Sequence, residues 1–115
     1  MSRADRLERL DGQRAELEVQ FQELLIAALR DTALGSAGLF GHKPDKSTRK
    51  AWDPRIAELT ELGEQIDDMR ATLGLERSAL CAEFLASRGP VASTAPGEPK
   101  QAKAWLERLA PNLQG

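Results

Sequence analysis

The densest collection of chemistry-bearing side chains lies between Gly35 and Trp52, where Phe40, His42 and Trp52 are interleaved with Lys43, Lys46, Arg49 and Lys50. Cationic donors bind phosphate oxygens and aromatic faces stack on unpaired bases, so this mixture is what a small nucleic-acid-associated factor would use. A structural reading of the same stretch stands beside it: Leu39, Phe40 and Trp52 cap one end of a helical hairpin while the cations solvate a loop. Its glycines are not a nucleotide-binding loop, because G-x-x-x-x-G-K-[ST] is absent and no strand precedes them. Gly38-Leu39-Phe40-Gly41 spells the G-x-x-G of a KH loop but lacks the surrounding α/β sequence that such a loop needs.

Other candidates for chemistry are sparse. His42 is the sole histidine, and Asp45 three residues on supplies one further ligand type with no other His or Cys nearby to complete a metal shell. Asp67 and Asp68 are adjacent on a helix, so their side chains diverge by about 100° and read as solvent-facing charge rather than an acid and base pair. Cys81, the only cysteine, falls on an apolar helical face and reads as a buried structural thiol; it excludes an internal disulfide. No histidine stands where it would activate a Ser or Thr. The expectation is a protein that is not an enzyme and uses no cofactor and no metal.

A different kind of site is written along the first third of the chain. Leu7, Leu10, Arg14, Leu17, Phe21, Leu24 and Ala28 alternate at spacings of three and four, the seam by which one helix lies along another. Arg14 is its polar exception, placed either to set register through a carboxylate or to snorkel outward. Leu7, Leu10, Arg14 and Leu17 are therefore the candidate partner-binding residues, with another protein or a second copy of the chain as the partner.

These residues imply the elements that carry them. Good helix formers run without proline from about residue 3 to 34, and Gly35 and Gly38 stop the run. A basic, Gly-rich connection follows over 35–52. Asp53-Pro54 signals a helix start, with Leu59, Leu62, Ile66, Met69 and Leu73 forming a second seam up to Gly74. Shorter helices are expected over about 76–88 and 99–110, the last docked by Trp105, with a Pro/Gly linker at 89–98. The fold class is thus all-α: an antiparallel, coiled-coil-like helical hairpin with two shorter C-terminal helices packing on it, in a single domain over residues 1–115.

Composition sets the outer limits. Three Phe, two Trp and no Tyr leave little material for a deep aromatic pocket. The net charge of −2 denies the whole molecule a positive field, so nucleic-acid binding would have to be local. That total conceals a balance of +3 in residues 35–52 beside −4 in residues 53–75. The longest apolar run, Leu24 to Leu29, is far short of the roughly 18–20 residues of a membrane span. With no apolar segment resembling a secretory signal, the expected location is the cytoplasm. A protein-protein interaction or assembly module is the leading expectation, and the nucleic-acid factor is the alternative.

Overall fold

The computed structural model describes residues 2–42 and 45–111, in which four helices follow one another: α1 (Arg3–Ala33), α2 (Lys46–Thr72), α3 (Ala79–Ser87) and α4 (Glu98–Leu109). The chain is all-α, and α1 packs along both α2 and α4. Two cross-helix ion pairs fix the hairpin register. Arg55 Nη1 meets Asp31 Oδ2 at 2.9 Å near one end, and Arg70 Nη1 meets Glu18 Oε1 at 2.6 Å near the other. Higher numbers on α2 thus face lower numbers on α1, an antiparallel arrangement.

The second helix starts earlier than its Asp53-Pro54 signal indicates, and this shortens the connection expected over 35–52. Asp45 is the actual N-cap: its carboxylate accepts from the Thr48 N–H at 2.7 Å and from the Thr48 hydroxyl at 3.0 Å. Pro54 is consequently interior to α2, where the missing N–H leaves the ladder one bond short and costs about 3 kcal/mol. The upstream extension adds Trp52 to the buried stripe that runs on through Ile56, Leu59 and Ile66. Burying that ring contributes about 2–3 kcal/mol, comparable to the cost of the proline.

At the far end Gly74, with φ +73°, terminates α2, and the Leu75 N–H returns to the Arg70 carbonyl at 2.7 Å. The third helix starts later than expected, at Ala79, because Ser78 caps it and is itself tied back to α2: its N–H donates to Asp67 Oδ1 at 2.8 Å. Asp67 is therefore a half-buried tether, which corrects the solvent-facing reading; Asp68 is exposed.

The core gathers at the end of the hairpin where α1 stops. Phe21, Leu25 and Leu29 of α1 meet Ile56, Leu59 and Ile66 of α2, Phe84 of α3 and Trp105 of α4. Trp105 stands edge-on to Phe84, with centroids 6.5 Å apart, and tilted against Phe40 at 5.9 Å.

Leu39 and Phe40, although in a loop, have no exposed surface. Their backbone would be stranded from water, and Glu98 resolves this. From the first turn of α4 its carboxylate accepts the Gly38 N–H at 3.1 Å and the Phe40 N–H at 2.8 Å. The two carbonyls between and beyond are satisfied from the end of α3: Arg88 Nε donates to the Leu39 oxygen and the Gly89 N–H to the Phe40 oxygen, both at 2.8 Å. Gly38 has φ +128°, and a Cβ there would stand 2.3 Å from Trp52 Cδ1, so only glycine lets the loop lie on that ring.

Two consequences are measurable by urea denaturation. Gly38→Ala should lower stability by about 2–4 kcal/mol through strain and collision with Trp52. Glu98→Ala should cost about 2–4 kcal/mol by leaving two buried N–H groups unpaired, with Glu98→Gln recovering part of the loss; a Glu98→Ala change below about 0.5 kcal/mol would contradict the role given to this carboxylate.

Candidate functional site

The interaction seam of α1 divides at Leu17. Leu17 packs against the core. Arg14 is held by its own helix, with Nε on Asp11 Oδ1 at 2.8 Å and Nη1 on Glu18, whose other oxygen takes Arg70. That group sets the hairpin register, so Arg14 is engaged internally. Leu7 and Leu10 have no such cover: residues 2–9 are exposed throughout and Leu10 is half-buried. Arg70 faces Glu18 only two residues before α2 ends, so the first turns of α1 run on past it, a projection of about 16 Å for some 11 residues at 1.5 Å each.

The structure separates the residues that the sequence interleaves between Phe40 and Trp52. Phe40 is buried, and Trp52 is 7% exposed beneath the 38–40 loop with the Arg55 guanidinium 4.4 Å from its ring centre. Neither ring is presented for stacking on a base. Lys46, Arg49 and Lys50 stand exposed on the opening turns of α2, at the i, i+3, i+4 spacing of one helical face. Lys43 lies outside the described residues. His42 is buried and tilted against Phe40 with centroids 6.0 Å apart, and its Nε2 has no hydrogen-bond partner among the described residues.

Beside the basic turns a cleft of about 410 Å³ opens between the 38–41 loop, α2 and the end of α3. Arg49, Trp52 and Asp53 line it from α2, Leu85 from α3, and Arg88 from just past the end of α3. Arg88 is half-buried, and no carboxylate among the described residues pairs with it or with Arg49. Sequence reasoning did not single out Arg88 or Glu98. Nothing local distinguishes them, since their partners lie 49 and 58–60 residues away along the chain. A second, more apolar hollow of about 270 Å³ is lined by Ala37, His42, Val91, Pro96 and Glu98.

Cys81 is buried, and burial pushes its thiol up from its ordinary range, which removes thiolate character. Among the described residues no three His, Cys, Asp or Glu side chains converge as a metal site would require, and no helix is long and apolar enough to cross a membrane. No protein-family model, curated protein or solved structure matches the chain.

The Thr48 backbone N–H holds the Asp45 carboxyl below its ordinary value, with the Thr48 hydroxyl adding to the effect. A lowered folded pKa means that this cap supports the fold above the unfolded carboxylate pKa and is lost as pH falls through the lowered one. Amide exchange at Ser47–Arg49 should therefore rise selectively in that acid window, while core amides of α1 keep their protection. Asp45→Asn, which keeps an acceptor without the charge, should flatten this pH dependence.

Proposed function

We propose that the protein is a non-enzymatic interaction or assembly module that works through the projecting first turns of α1. The observation that carries this reading is the extension of Leu7 and Leu10 beyond the end of α2, on a helix whose later turns supply the core with Phe21, Leu25, Ala28 and Leu29. An unsupported amphipathic turn is stabilised when another helix completes its seam.

A second copy of the chain provides such a helix. Antiparallel pairing of two projections sets Leu7 of one against Leu10 of the other and extends each α1 along the line of its partner's α2, whereas parallel pairing would drive the incoming helix into α2. The antiparallel pair closes about a two-fold axis, so it ends at a dimer rather than a filament. Leu75, 42% exposed just past the end of α2, adds apolar surface at the same end of the hairpin. The area is small, and the association is accordingly weak and concentration-dependent.

Sedimentation velocity across a concentration series tests the reading directly. A reversible monomer-dimer equilibrium is expected, with dissociation in the micromolar to millimolar range characteristic of small interfaces, about −8 to −4 kcal/mol. Leu7→Glu with Leu10→Glu should abolish it and leave the melting temperature within a degree or two of the parent, because neither side chain belongs to the core. A chain that stays monomeric at every concentration, or a dimer indifferent to the double substitution, would rule this surface out.

A further inference from the structure

The cleft beside the opening turns of α2 is distinct from the α1 projection and carries its own chemistry. Arg88 is fixed there by a single hydrogen bond, Nε to the Leu39 carbonyl at 2.8 Å, which leaves both terminal nitrogens of the fork uncommitted to any described residue. A guanidinium partly withdrawn from water, with no carboxylate counter-ion among the described residues, is available to an anion entering the cleft. Arg49 lines the same cleft, again with no described carboxylate partner, and Lys46 and Lys50 are its neighbours on the helix face. Trp52, Leu85 and Pro90 contribute apolar wall. Gly41 and Gly89, also in the lining, place no side chains there.

From this arrangement we infer that the cleft binds a small phosphate monoester, with Arg49 and Arg88 on the phosphoryl oxygens and the organic body of the ligand against Trp52, Leu85 and Pro90. Two guanidinium forks from different elements match a dianion with three equivalent oxygens better than a carboxylate, which a single fork saturates. A volume of about 410 Å³ lies within the range of small-molecule sites. Asp53 is the one acidic residue in the lining. It repels additional negative charge, which favours a monophosphate over a polyphosphate and predicts that Asp53→Asn tightens binding.

Calorimetric titration of the full chain at low salt, with phenyl phosphate, inorganic phosphate and benzoate as probes, decides the matter. Phenyl phosphate is expected to bind, more tightly than inorganic phosphate because of the apolar wall and more tightly than benzoate because of its charge. Arg49→Glu, an exposed position whose effect on folding is checked by melting, should weaken phenyl phosphate by about tenfold or more. Lys103→Glu makes the same charge change on α4 outside the cleft and should change binding by less than about twofold. Arg88→Lys keeps the charge but loses the fork, and should weaken phenyl phosphate with the melting temperature retained; if that variant melts early, Arg49→Glu decides. Absence of binding at millimolar phenyl phosphate, equal binding of benzoate, or equal losses in Arg49→Glu and Lys103→Glu would each overturn the assignment.

Discussion

A buried carboxylate organises this molecule. Glu98 occupies the first turn of α4, where the helix dipole favours negative charge, and its oxygens take the N–H groups of Gly38 and Phe40 out of water. With those donors satisfied, Leu39 and Phe40 can be driven fully into the core although they belong to no helix. Without it, the cost of the stranded amides would oppose burial of the loop, and Trp105 would lose Phe40, one of its two ring partners.

That single tether shapes the loop end of the hairpin. Gly38 lies against Trp52, whose ring is presented from the part of α2 that extends upstream of Pro54. The extension lifts Lys46, Arg49 and Lys50 out of a connecting loop and arrays them on a helical face. It also brings the start of α2 against the end of α3, where Arg88 holds the Leu39 carbonyl, and so creates the cleft. The opposite end of α1 receives none of this cover. Aromatic packing runs from Phe40 and Trp105 as far as Phe21, and the last fastening before the projecting turns is the ionic group of Arg14, Glu18 and Arg70.

The resulting division of surface is chemically simple. One end of the 55 Å long molecule offers leucines on an unsupported helix, and the other offers guanidinium groups that no carboxylate among the described residues pairs, beside apolar wall. Both proposed activities are recognition rather than bond-making, in keeping with a buried thiol of raised pKa and a sole histidine enclosed against Phe40.

The all-α class, the antiparallel hairpin and the docking of Trp105 were legible in the residues alone, because three-four alternation, glycine stops and capping residues act over one or two helical turns; of the α1 seam, the core takes only the part from Leu17 onward. The start of α2 was not: Asp53-Pro54 is the more conspicuous local signal, but the helix begins at the Asp45 cap and carries Trp52 under the 38–40 loop. Of the two readings open for the stretch between Phe40 and Trp52, the structure has Leu39, Phe40 and Trp52 in the core at the end of the hairpin and Lys46, Arg49 and Lys50 exposed on the first turns of α2. Glu98 and Arg88 have roles that exist only through contacts spanning some fifty to sixty residues, and no periodicity encodes such contacts. Local physics thus determined which segments are helices, while the shape of the sites was decided by where buried backbone found its hydrogen-bond partners.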